Sequence, residues 1–157
     1  MNEQLENMPL YRKAWDIVNM VDRIKVLVPD EMEMLQDITR NMQNDASLLT
    51  AKIAGAHSSD LYDLKMENAA IIRKCARDIH VSYHWFFFEG FKEMEYLDLL
   101  SSEIEEFRIL FAEWVKTFDP WDYVIDRWGL FNPPGVNYDD KDPDEDIPYT
   151  DPFDEDR

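Results

Sequence analysis

The chain has 157 residues, and its 34 acidic side chains against 16 Lys and Arg give a formal charge of -18 at neutral pH. This length predicts one domain, and a hydrophobic fraction of 45% argues against a wholly disordered chain. The lone cysteine, Cys75, excludes an intramolecular disulfide and a cysteine-based zinc site, and only four glycines argue against a turn-rich β fold. We expect a protein of the reducing cytoplasm, without a secretory signal or a membrane span.

The first half of the chain carries two helical patterns. Residues 10–28 place apolar side chains three and four positions apart, which predicts one buried helix face. Pro29 ends this first helix, and Asp30 is the predicted N-cap of the second, with Glu33 in the position of a capping box. Gly55 and the polar residues after it mark the next break.

Two further patterns complete a bundle. The third helix is predicted from Leu61 to a stop at Gly90, and the fourth from Phe91 to Phe118. Four such helices joined by short turns predict an all-α fold, an antiparallel up-down-up-down four-helix bundle over residues 1–118.

A connector, residues 119–138, follows the bundle. Asp119 suits an N-cap and Pro120 the first helical position, so a short extra C-terminal helix is predicted to present Trp121 and Trp128 on one face. Such a helix is not stable alone, and it has to bury its tryptophans against the bundle or a neighbouring subunit.

The last segment, residues 139–157, is strongly acidic. It holds ten carboxylates and two basic residues, a net of -8, so the first 138 residues carry -10. Its prolines oppose a long helix, and Ile147, Tyr149 and Phe153 are its apolar residues. This composition predicts an extended acidic tail, which either keeps the chain soluble or acts as a short acidic and aromatic docking peptide.

Few residue patterns point to chemistry. Arg73, Lys74 and Arg77 form the one dense basic cluster and are the candidate nucleic-acid contacts, although a net negative charge opposes phosphate binding. The alternative for this cluster is a solvated face paired with acidic neighbours. His80 and His84 share a predicted helix face, but two imidazoles alone do not define a metal site. We therefore predict no catalytic residue, no metal and no cofactor.

An aromatic run at residues 83–88 gives the strongest interaction signal. Six successive helical positions point all around the axis, so a monomer would leave several large rings exposed to water. An exposed aromatic patch of this kind usually marks an interface. Cover by the predicted C-terminal helix accounts for part of them, and burial in a homo-oligomer for the rest. The predicted oligomer or partner interface consists of Tyr83, Trp85, Phe86, Phe87, Phe88, Phe91, Trp121 and Trp128.

Three stretches carry a family resemblance. They are Tyr-Arg-Lys-Ala-Trp-Asp-Ile-Val at 11–18, Ala-Lys-Ile-Ala-Gly at 51–55, and Gly-Phe at 90–91 with Glu93, Glu95-Tyr96 and Leu99. Through them residues 10–118 resemble the bacterial four-helix-bundle proteins encoded in intervening sequences of large-subunit ribosomal RNA genes. That family includes the accessory variability determinant of diversity-generating retroelements.

The resemblance implies a homo-oligomer, typically a ring of five bundles, with no established catalytic site. In the retroelement branch it implies a basic platform for reverse transcriptase and nucleic acid. The chain departs from the family at Asn44, Leu48, Lys52 and Gly55, where many relatives have Arg, Ser, Asn and Glu. In the third helix Asp78 and His80 stand in place of a Glu-x-Glu pair.

The sequence as a whole favours a non-catalytic, homo-oligomeric binding scaffold that presents bundle surfaces and acidic tails to a protein partner. One alternative is an accessory protein that binds nucleic acid or reverse transcriptase. Another is an acidic surface that imitates nucleic acid and occupies a basic partner.

Overall fold

The computed structural model describes residues 2–145 and residue 148, and these residues contain helices but no β-strand. The all-α prediction is therefore confirmed for this part of the chain. The helices are α1 (Glu3–Glu6), α2 (Pro9–Leu27), α3 (Glu33–His57), α4 (Tyr62–Val81), α5 (Tyr83–Phe88) and α6 (Met94–Val115). None of them is long and apolar enough to cross a membrane.

The four long helices enclose one hydrophobic core. Helix α3 lies between α2 and α4, and α6 contacts both α2 and α4, so each long helix packs against two others. A bundle of four helices is consistent with these contacts. The fully buried side chains at its centre include Ile17, Ile24, Leu35, Met42, Leu49, Ile53, Ile72, Ile79, Phe86, Leu97 and Phe107.

The helix boundaries differ from the predicted ones around α3. The helix begins at Glu33 after Met32, which makes no side-chain cap, so the predicted N-cap at Asp30 and its capping box are wrong. The connection is closed instead by Gln36, whose amide Nε2 donates to the carbonyl oxygen of Val28 at 2.9 Å. Gly55 lies inside the last turn of α3 and does not end it.

The predicted third helix is interrupted near its end. Helix α4 ends at Val81 and α5 begins at Tyr83; between them the hydroxyl and the backbone amide of Ser82 both donate to the carbonyl oxygen of Asp78, at 2.9 and 3.2 Å. Helix α5 then stops as predicted at Gly90, which has φ +73°. The amide of Phe91 donates to the carbonyl of Phe86 and that of Gly90 to Phe87, a Schellman cap.

The predicted C-terminal helix does not form. A carboxylate oxygen of Asp126 accepts hydrogen bonds from the backbone amides of Leu130 and Phe131, and the other accepts from Trp128. These bonds, led by that of Phe131, lower the pKa of Asp126. Asn132 also exchanges two hydrogen bonds with the Asp126 backbone. The segment is thus an irregular loop, in which side-chain acceptors occupy the amides of Asp126 and Trp128 that the predicted helix would use.

The beginning of the acidic segment is attached to this loop. Arg127 donates to the carbonyl oxygens of Tyr138 and Asp140, at 3.0 and 2.6 Å. Most of the predicted tail, 146–147 and 149–157, lies outside the described residues, and so does the predicted docking role of Ile147, Tyr149 and Phe153.

Candidate functional site

The aromatic run divides into a buried and an exposed part. Phe86 is 0% exposed and Phe91 4%, and their rings meet edge to face with centroids 5.1 Å apart. These two predicted interface residues are core residues, because the Schellman turn brings Phe91 back onto Phe86. Tyr83 is half-buried, and its hydroxyl donates to Asp98 of α6 at 2.9 Å, which raises the pKa of Tyr83.

Three rings of the run remain on the surface. Trp85, Phe87 and Phe88 are 49%, 64% and 76% exposed, and the last two touch edge to face at 6.1 Å. We call these three residues the α5 aromatic surface. Among the described residues no ring from another element stacks on them. Trp85 borders Ile38 and Asn41 of α3 and lies on a different side of α5 from Phe87. Phe87 and Phe88 together form an apolar patch open to a partner.

The two C-terminal tryptophans lie elsewhere. The loop that contains them is joined to the N-terminal end of α4, where the amide of Tyr62 donates to the carbonyl of Asp122 at 2.8 Å. Helix α5 follows the other end of α4, and a helix of 20 residues is about 30 Å long. Trp121 and Trp128 therefore do not cover the aromatic run, contrary to the prediction, and Trp128 is 95% exposed.

The basic cluster is split between two sides of α4. Lys74 faces α3, where its ammonium lies 2.7 Å from the carboxylate of Asp78 and close to Asp45. Burial raises the pKa of Asp45 on this side. Arg73 and Arg77 lie on the side of α4 that faces α6, so the three cations predicted as one nucleic-acid patch do not act together.

A groove between α4 and α6 contains Arg73 and Arg77, the other two residues of the basic cluster. Its volume is ≈ 320 Å³, within the range of ligand pockets. Its apolar floor and its polar rim are formed by Arg73, Ala76, Arg77, His80, Ser101, Ile104, Glu105, Phe107, Arg108 and Phe111. We call this the α4–α6 groove.

The rim of the groove is positively charged. Arg108 is held by Glu105, with Nε 3.0 Å from Oε2, and this arginine lowers the pKa of Glu105. Arg73 and Arg77 have neither an ion pair nor a side-chain hydrogen bond among the described residues. Three arginines and one glutamate thus line the groove on a chain whose total charge is -18.

Sequence reasoning found only part of this groove. The spacing of Arg73, Arg77 and His80 places them on one face of a helix, and it was available from the sequence. Arg108 is a residue that the sequence analysis missed, because only the contact of α6 with α4 brings it to the same place.

The candidate histidines and the cysteine occupy separate positions. His80 is on the rim of the groove, whereas the ring of His84 packs edge to face on Tyr83 at 6.1 Å. Across residues 2–145, no three potential metal ligands lie together. Cys75 is buried in the core, and burial together with Asp45 raises the pKa of its thiol to about 11.

Comparison of this chain with protein-family models, with curated proteins and with solved structures finds no match. The candidate sites are therefore assigned from the residues of this chain alone, and they are the α5 aromatic surface and the α4–α6 groove.

Proposed function

We propose that the protein is a non-catalytic, homo-oligomeric binding scaffold of the cytoplasm. The observation that carries this proposal is the α5 aromatic surface, where Trp85, Phe87 and Phe88 expose large rings and the last two are in contact. Burying each such ring is worth about 1.5–3 kcal/mol, so a second copy seated on this surface gains several kcal/mol from three residues.

The scaffold would be an antiparallel up-down-up-down bundle. Short connections support this topology, because residues 28–32 and 58–61 leave room only for tight reversals, and only residues 82–93, which include α5, join α4 to α6. Contacts across two of them agree: Lys25 Nζ lies 3.4 Å from Gln36 Oε1, and Lys65 Nζ donates to the carbonyl of Ala56 at 2.8 Å.

A ring of five copies is the assembly that we favour within this proposal. The support is the resemblance of residues 10–118 to the family of intervening-sequence proteins, whose bundles typically form such rings. A ring multiplies every weak contact, so that a partner meets several identical surfaces at once.

Size-exclusion chromatography with light scattering tests the assembly. We expect a multimer of the 18.7 kDa chain, and dissociation to monomers in the double variant Phe87→Ser/Phe88→Ser. The matched control is Trp121→Ser/Trp128→Ser, which removes two aromatic residues, 61% and 95% exposed, at the other end of α4 and should leave the multimer intact. A wild-type monomer at all concentrations, or dissociation only in the control, would overturn the proposal.

A second candidate function is the binding of nucleic acid or reverse transcriptase, as in the retroelement branch. The convergence of Arg73, Arg77 and Arg108 in one groove favours it, and a ring would repeat that groove. The net charge opposes it, as does the pairing of Lys74 with Asp78. Fluorescent RNA and DNA oligomers titrated at low salt test it: binding that Arg73→Glu/Arg77→Glu abolishes supports this function, and absence of binding removes it.

A further inference from the structure

The α4–α6 groove has the composition of a peptide-binding site for one kind of segment. Ala76, Ile104, Phe107 and Phe111 supply an apolar floor, on which the last two rings stack with centroids 6.4 Å apart. Arg73, Arg77 and Arg108 line the same groove, so a fitting segment combines apolar anchors with carboxylates.

We infer that the groove binds the acidic C-terminal segment of this protein, residues 149–157, from the same copy or from a neighbouring one. The segment reads Tyr-Thr-Asp-Pro-Phe-Asp-Glu-Asp-Arg, with two aromatic anchors among four carboxylates. Its charge is complementary to the rim, whereas the acidic remainder of the surface repels it.

The two free arginines are the groups that select this occupant. Arg73 and Arg77 have no acidic partner in the described part of the chain, and a planar guanidinium binds a carboxylate through two hydrogen bonds. The rings of Tyr149 and Phe153 then bury apolar surface against the floor. A phosphate backbone would use the arginines but would not use the floor.

The length of the chain allows this contact. Arg127 donates to the carbonyl oxygen of Asp140, and the loop residues on either side of Arg127 border the N-terminal end of α4. Residue 149 is nine residues further on, and an extended chain covers up to about 30 Å over that number. Arg73 lies six residues beyond Glu67, which borders the loop, and that is about 9 Å along the helix.

Photo-crosslinking in the full-length protein tests the contact directly. p-Benzoylphenylalanine is placed at Phe153, and crosslinked peptides are mapped by mass spectrometry. We expect the main products in residues 73–80 of α4 and 101–111 of α6. Mixing isotopically labelled and unlabelled copies tells contacts within one copy from contacts between copies, so the result does not depend on the oligomeric state.

Charge reversal gives the matched comparison. Arg73→Glu/Arg77→Glu should lower the yield of groove crosslinks about tenfold. Arg40→Glu/Lys116→Glu makes the same change of charge at two exposed side chains outside the groove, and it should leave the yield unchanged. Thermal melting checks that both variants are folded.

A direct titration supplies the second measurement. A labelled peptide of residues 149–157 is added to the full chain carrying Tyr149→Ala/Phe153→Ala, which removes both aromatic anchors of the resident segment. We expect binding that weakens with salt and is lost when Arg73→Glu/Arg77→Glu is added. Crosslinks outside α4 and α6, or groove crosslinks and peptide binding that survive the charge reversal, would overturn the inference.

Discussion

Phe86 and Phe88 lie two residues apart in one short helix and should respond in opposite ways to truncation. The Phe86 side chain is fully buried and packs edge to face on Phe91, whereas Phe88 is 76% exposed. Phe86→Ala removes a core ring and leaves a cavity, which costs about 3–5 kcal/mol. The edge-to-face contact adds about 0.5–1.5 kcal/mol, so we expect the upper part of that range.

Urea unfolding followed by circular dichroism measures the difference. With a slope of about 2 kcal/mol per molar urea, Phe86→Ala should lower the midpoint by roughly 2 M. Phe88→Ala should change the free energy of unfolding by less than about 0.5 kcal/mol at low protein concentration. At high concentration Phe88→Ala should become destabilising, because it removes part of the proposed oligomer contact.

Equal losses for the two variants at low concentration would contradict the assignment of Phe86 to the core and of Phe88 to the surface. A loss of less than about 1 kcal/mol in the free energy of unfolding for Phe86→Ala would also contradict the assignment of Phe86 to the core, because removing a buried ring from a packed core costs more than that.

Three further predictions concern the backbone, the thiol and one ion pair. In urea unfolding Gly90→Ala should cost about 1–2 kcal/mol, since φ is +73°, whereas Gly55→Ala inside α3 should stabilise by about 0.5–1 kcal/mol; the same sign for both would contradict this. The Cys75 thiol, with its pKa raised to about 11, should react with a disulfide reagent at pH 8 at least about tenfold more slowly when folded than in urea; equal rates would refute its burial. Lys13 Nζ lies 2.8 and 2.6 Å from two glutamates of α6, so Lys13→Met should cost about 1–2 kcal/mol at pH 7. Because these carboxylates raise the pKa of Lys13 above 10.5, the difference from wild type should stay constant from pH 7 to pH 10.5 and shrink at higher pH, and its loss at pH 8 would be a contradiction.

Sequence patterns predicted the structure correctly where short-range helix geometry and packing in the core favour the same conformation. The stripe of α2 predicts the buried face that includes Ile17 and Ile24, and Gly90 predicts the stop of α5. Both follow from short-range geometry, the helical period in one case and a positive φ in the other.

Sequence patterns predicted the wrong structure where side-chain oxygens accept hydrogen bonds from backbone amides that a helix would have used. Asp119 and Pro120 are good helix-start residues, but they contribute only about 1 kcal/mol. Side-chain oxygens of Asn132 and Asp126 accept from the amides of Asp126 and Trp128, and Trp128 is 95% exposed, so the loop replaces the predicted helix.

The sequence by itself determined the helical class, the buried stripe of each long helix and the places where aromatic and basic residues are concentrated. Only the tertiary structure decided that Phe86 enters the core while Phe88 stays outside, and that Arg108 joins Arg73 and Arg77 but Lys74 does not. The period of a helix predicts which residues share a face, whereas the packing of the neighbouring helices determines which residues each face contacts.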